Sequence, residues 1–288
     1  MKRLSFLLSA LFVLSACNFS GKGGVSEQLR AYGQETASAE APAAEAAPSE
    51  AAADDAASAD SCLRFAMPKT PAGVPEQILF NDAYVSSFNA TTLMPNWVAW
   101  RLTADHASGT FKRKGQAFTP DDRVPEAQRV TTYDYMRSGY DRGHMCPAGD
   151  NKWSAEAMEQ CFLLTNICPQ NHGLNIGDWN EMENQCRRWA EEYGEIYVVC
   201  GPILYKGHHK TIGQEHRITV PDAFFKVVIC LKGKPWGAGF IYKNTEGNRP
   251  KGDYQNTIDE VERITGLNFF PSLPKKLEKQ VEGQMITI

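Results

Sequence analysis

The order of β-rich and helical stretches constrains the fold more than any other feature. Trp97–Thr103 (WVAWRLT), Glu195–Cys200 (EIYVVC), Phe224–Leu231 (FFKVVICL) and Trp236–Lys243 read as strands, from alternation or from β-branched and aromatic content. Phe162–Ile167 reads as a further short strand ended by Pro169. Asn175–Tyr193 reads as a helix, because Met182, Cys186, Trp189 and Tyr193 recur at i, i+4, i+7 and i+11 and Gly194 follows. Ser154 is a good N-cap for a short helix ending at Gln160. Thr257-Ile258-Asp259-Glu260 is a capping box opening a helix that Gly266 closes. Strands and helices do not alternate as a parallel α/β sheet requires. The expectation is an α+β fold with a mixed, mostly antiparallel central sheet flanked by helices.

Charge divides the 288 residues into three parts. Residues 1–19 carry a net +2 and residues 20–60 a net −6; the whole chain is −4, so residues 61–288 are neutral. A strongly basic nucleic-acid coat is thereby excluded, and any phosphate-handling surface must be local. Lys2 and Arg3 precede an apolar run from Leu4 to Leu14. That run is about half of what a helix needs to cross a bilayer, and it reads instead as an export signal. Leu14-Ser15-Ala16-Cys17 resembles the bacterial lipoprotein cleavage box, with Cys17 as the lipidated first residue. The expectation is an exported protein anchored to a bacterial membrane, the outer membrane or cell surface favoured, and otherwise periplasmic or secreted. Residues 18–60 are rich in Ala, Glu, Ser and Pro and have no apolar stripe to bury, so they read as a disordered acidic linker. Residues 61–288 remain as one domain with a large core.

Besides Cys17 there are seven cysteines, at 62, 146, 161, 168, 186, 200 and 230. In an oxidising compartment these allow up to three disulfides with one thiol over, although some sit in apolar runs as buried thiols do. His144-Met145-Cys146 and Cys168-Pro169-Gln170-Asn171-His172 offer zinc-type ligands, but neither has the tight spacing of a structural zinc site.

The densest chemical text is Tyr140-Asp141-Arg142-Gly143-His144-Met145-Cys146-Pro147. If Asp141–His144 is extended, Arg142 and His144 share a face, since side chains repeat every two residues. An imidazole accepts a proton from water at neutral pH, and a guanidinium holds two phosphate oxygens. Farther on, Asn175, Trp179 and Glu183 fall at i, i+4 and i+8 on one slowly drifting helical stripe. A neutral Asn suits Mg²⁺, a hard cation that keeps several waters, and Glu183 would orient those waters. Taken singly, each element also has a plain structural reading: an Asp-Arg pair, a helix cap, a surface acid.

Together, Asp141–His144, Thr165-Asn166-Ile167-Cys168-Pro169-Gln170 and Asn175-Ile176-Gly177-Asp178-Trp179-Asn180-Glu181-Met182-Glu183 resemble the DNA/RNA non-specific endonuclease family, from roughly Asn96 to Pro271. The resemblance implies a ββα-metal nuclease core. It assigns His144 as general base, Asn175 as the direct Mg²⁺ ligand (Mn²⁺ able to substitute), and Glu183 as the acid organising metal-bound water. Asn166 is implied to fix the catalytic geometry, Arg142 to support the site and Arg113 to contact phosphate. Arg101 lies in a strand already accounted for by packing. The implied reaction is metal-assisted hydrolysis of DNA or RNA phosphodiesters, largely without sequence preference, leaving 5′ phosphates. The substrate is gripped by its backbone, and the same resemblance admits a homodimer. Cys146 and Cys168 depart from the family pattern, and a disulfide between them beside the site would make activity redox-sensitive. Two competing readings are a catalytically weak surface nucleic-acid-binding lipoprotein on a nuclease fold and a zinc-stabilised adhesin. Against the former stand a base, a metal ligand and an acid, all present.

Overall fold

A computed structural model of the chain describes residues 61–287. The expected signal, the lipidated Cys17 and the acidic linker lie outside those residues.

The strands in chain order are β1 (Gln77–Phe80), β2 (Val85–Asn89), β3 (Met94–Thr103), β4 (Asp141–His144), β5 (Ile167–Gln170), β6 (Glu195–Ile203), β7 (Thr211–Ile212), β8 (Ile218–Thr219), β9 (Ala223–Cys230), β10 (Trp236–Lys243) and β11 (Gln255–Asn256). The helices are α1 (Ala104–Ser108), α2 (Ala155–Gln160), α3 (Asn180–Tyr193), α4 (Ile258–Thr265) and α5 (Lys275–Glu282). Seven strands form the central sheet in the order β1-β2-β3-β6-β9-β10-β11, and every neighbouring pair is antiparallel. The chain leaves this sheet after β3 and returns beside it as β6. The intervening stretch holds the separate β4–β5 ribbon, α2 and α3.

The sheet is buried on both faces, which is why its strands read as nearly unbroken apolar runs. In β3, Val98, Trp100 and Leu102 face one core with Trp179, Met182, Cys186 and Trp189. Trp97 and Ala99, alternating with them, face a second core with Ile258, Val261, Phe269 and Val281. The result is three layers, with the ribbon and α3 on one face of the sheet and α4 and α5 on the other.

Element ends follow the local chemistry. The Ser154 hydroxyl accepts from the Ala157 N–H at 3.2 Å to start α2, and Thr257 does the same for Glu260 at 3.1 Å to start α4. Gly194 and Gly266 close their helices at φ 86° and 74°, where a side chain is disfavoured. Phe162–Ile167 departs from expectation. Leu164–Asn166 is a 3-10 turn and the strand starts at Ile167. Pro169 therefore lies within a strand, tolerated because β5 pairs only with β4.

The seven described cysteines are free and buried. The Cys146–Cys168 bridge is overturned by register, since Cys168 stands opposite Gly143 while Cys146 lies beyond the ribbon's end. The zinc reading also fails: among the described residues the only convergent group of three metal-binding side chains is Asp259, Glu262 and Glu282.

Candidate active site

The ribbon pairs Asp141 with Gln170, Arg142 with Pro169, Gly143 with Cys168 and His144 with Ile167. Gly143 is required by packing, because a Cβ there would stand 2.3 Å from Gln170 Oε1. Beyond the ribbon, Asn166 is fully buried. Its Oδ1 accepts from the Cys146 N–H at 2.9 Å, and its Nδ2 donates to the carbonyls of Cys146 at 2.9 Å and Cys161 at 2.7 Å. These bonds occupy the whole amide, so Asn166 does not reach the cleft. It clamps the chain just after His144 instead of lining the cleft.

His144 lies between Phe118 and Phe162, with ring centroids 5.1 Å and 4.9 Å away. Its carbonyl accepts from the Trp179 indole N–H at 3.3 Å. The residue is 7% exposed, and Nε2 is buried without a hydrogen-bond partner among the described residues. Burial, reinforced by the charges of Arg113 and Arg142, pushes the imidazole down to about 3. The ring is therefore neutral at physiological pH, the state a proton acceptor needs.

A helical turn at His172–Leu174 and the segment Asn175–Trp179, kinked at Gly177 (φ −99°, ψ −113°), run directly into α3. Asp141 Oδ2 accepts from Asn175 Nδ2 at 2.8 Å and faces His172 Nδ1 at 2.9 Å. Because Asp141 engages the amide nitrogen, the oxygen is the end of Asn175 left for a ligand. Asn175 and Glu183 line one cleft of about 960 Å³ together with His144, Arg113, Lys152 and Arg187. Trp179 points into the core instead, against Phe224 and Tyr242, so the three do not share one face. Residues eight apart on a regular α-helix are ~80° out of phase. The kink at Gly177 breaks that regular phase between Asn175 and the helix that carries Trp179 and Glu183.

Burial pushes the Glu183 carboxyl up to about 7, with Lys226, Arg187 and Arg113 opposing and Asp150 adding to the rise. Neither its carboxylate nor Asn175 Oδ1 has a hydrogen-bond partner among the described residues. Two unpartnered hard oxygen donors in one cleft suit a hard divalent cation.

Four groups of the site were not read from the sequence. Arg187 stands four residues after Glu183, a spacing that puts them on neighbouring turns of one face. Buried Asp150 holds its guanidinium at 2.6 Å and also accepts from the Trp100 indole at 3.2 Å. Lys226 of β9 is fully buried, with Nζ 4.1 Å from the Trp179 ring centre. Asp141 sits inside the D-R-G-H text, but its bond to Asn175 becomes visible only in three dimensions. Arg101 pairs across strands with Glu195 at 2.5 Å.

Arg142 does not line the first cleft. It is exposed, with its guanidinium 4.5 Å from the Phe118 ring centre, in a second hollow with Arg137, Tyr140 and Asp141. The two hollows share Arg113, Asn175 and Ile176, so a groove with basic groups along it runs past His144 and Asn175.

A family model described as DNA/RNA non-specific endonuclease matches residues 64–276. The mitochondrial nuclease EXOG of Danio rerio is 35% identical over 228 residues, a match covering 74% of this chain and 65% of that protein. Mitochondrial nuclease 1 of Schizosaccharomyces pombe is 34% identical over 237 residues, covering 75% and 72%. The chain thus spans just under two thirds of the EXOG relative's length. A crystal structure of an EndoG/EndoGI complex, concerned with the mechanism of EndoG inhibition, superposes with a TM-score of 0.70 at 26% identity, covering 84% of this chain and all of that one.

Proposed function

Because the chain belongs to the DNA/RNA non-specific endonuclease family, we propose that its groove grips DNA or RNA by the phosphate backbone and that His144 drives hydrolysis within the strand. The observation that carries this reading is one cleft holding a buried neutral imidazole, two unpartnered oxygen donors and two guanidinium groups. The β4–β5 ribbon and α3 supply the ββα arrangement on which these groups stand.

In this reading His144 takes a proton from the attacking water as its oxygen bonds to phosphorus. The bond from phosphorus to the 3′ oxygen breaks, that oxygen takes a proton from a solvent water, and the phosphate stays on the 5′ side. Arg113 and Arg187 hold phosphate oxygens and offset charge that grows toward the transition state. Asp150 fixes the Arg187 fork, and Arg142 in the adjoining hollow meets the neighbouring phosphate. Asn175, oriented by Asp141, and Glu183 would hold a divalent cation, Mg²⁺ with Mn²⁺ as substitute. Bound there, it supplies positive charge to the phosphate and the departing oxygen. We place the domain of residues 61–288 outside the cytoplasm, tethered by residues 18–60 to a bacterial membrane through lipid on Cys17; the export-type text at the N-terminus supports this.

The test is covalently closed circular DNA, and separately RNA, incubated with the purified chain. Nicked then linear DNA is expected with Mg²⁺ or Mn²⁺, none in EDTA, and recovery when the metal is returned. Retarded but uncut circles under every metal condition would establish the non-catalytic binder instead.

A further inference from the structure

On the face of the sheet away from the cleft, α4 and α5 bring four carboxylates together. Asp259 and Glu262 stand one turn apart on α4, and Glu278 and Glu282 one turn apart on α5. Oxygens of Asp259, Glu262 and Glu282 all lie within 4.8 Å of one another. Glu278 is matched by Lys275, at 2.7 Å and 2.9 Å. Glu262 Oε1 accepts from the Phe269 N–H at 2.7 Å, which leaves its other oxygen. Glu282 is only 7% exposed, and its Oε1 is buried with no hydrogen-bond partner among the described residues. It is also the last residue of α5, where the helix dipole and the final carbonyls are already negative.

Such an arrangement is costly as it stands. Burial first, then Glu262, Glu278 and Asp259, push the Glu282 carboxyl up to about 8, and Glu262 is raised as well. A cation relieves all of these repulsions together, and a helix C-terminus favours one. We propose that Asp259, Glu262 and Glu282 form a second cation site, separate from the cleft, that takes Ca²⁺ and fastens α5 to α4. Ca²⁺ binds oxygens at ~2.3–2.6 Å in flexible geometry, so its ligand atoms sit up to ~5 Å apart. Mg²⁺ at ~2.0–2.1 Å demands a tighter octahedron than two helix surfaces offer. The side of α5 facing the sheet carries Val281, fully buried in the second core, so the ion and the apolar contact hold the same helix from two sides.

The experiment uses the full chain carrying Asn175→Ala, so that a cation in the cleft is not counted. After EDTA treatment and desalting, Ca²⁺ binding is measured by equilibrium dialysis and Tm by calorimetry. One Ca²⁺ per chain is expected, and at a hundredfold excess over the dissociation constant a Tm rise of about 5 °C or more. Mg²⁺ should bind more weakly. Asp259→Asn, on an exposed position that does not threaten folding, should weaken Ca²⁺ binding at least about tenfold, and Glu282→Gln should abolish it. In the otherwise unmodified chain, Asp259→Asn should leave nuclease turnover unchanged. Absence of bound Ca²⁺, or a Tm rise of equal size in both variants, overturns the site. So does a Tm that responds to pH near 8 but not to Ca²⁺, which would mean that a proton on Glu282 does the ion's work.

Discussion

At the scale of the residue, the proposed reaction depends on one imidazole kept neutral by its surroundings. His144 was legible in sequence because the D-R-G-H text resembles the family motif; the two-residue strand period that sets it on the face of Arg142 was only suggestive. Its depressed basicity was not, because Phe118 and Phe162 come from segments 26 and 18 residues away in the chain. The ordinary histidine value is 6.5 and this one falls to about 3. Between those values the unfolded chain binds the proton and the folded chain does not. The fold therefore loses stability as pH falls through that window and keeps it above about 6.5. An NMR titration of the imidazole in metal-free protein should show His144 uncharged down to about pH 4. A midpoint near 6.5 would mean that the ring is solvated and the cleft wrongly described. Lys226 shows the opposite limit of legibility. Nothing in FFKVVICL marks its lysine as buried, yet it lies under Trp100 and Trp179.

At the scale of the element, positions in the ribbon and helix are set by close contacts and by one irregular turn. A methyl group on Gly143 meets Gln170 atoms at 2.3 Å and 2.5 Å, so Gly143→Ala must push β4 from β5. A loss of about 1–3 kcal/mol by denaturant unfolding is expected, with a larger fractional loss of turnover because His144 moves with its strand. Unchanged stability and turnover would show that the ribbon tolerates the shift. Helix periodicity read from sequence located Asn175 and Glu183 but placed Trp179 beside them. A kink at Gly177 separates them, and that glycine inside the helical pattern was its one signal in the sequence. Phe162–Ile167 was misread for a related reason. Its apolar content serves burial around a 3-10 turn pinned by Asn166, not a strand.

At the scale of the whole molecule, the α+β architecture was legible because long strands buried on both faces stand out as apolar runs. The short strands β1, at the sheet edge, and β2 beside it, and the terminal helix α5 were not, since Gln77–Phe80 is only four residues long and α5 buries few side chains. The folded part has no net charge, yet Lys112, Arg113, Lys152 and Arg187 line the first cleft and Arg137 and Arg142 the second hollow. Nucleic-acid affinity should fall linearly with salt on logarithmic axes, and Arg113→Ala should reduce the slope by about one. A slope unaffected by that change would take Arg113 off the phosphate path. The central claim is that a phosphodiester is cut by the His144 imidazole within an intact fold. Its most direct test is the single-turnover rate of His144→Ala on DNA at saturating Mg²⁺, with Tm recorded on the same sample. The account expects a loss of at least ~10²–10⁴-fold with a folded protein; ordinary turnover in that variant would contradict it.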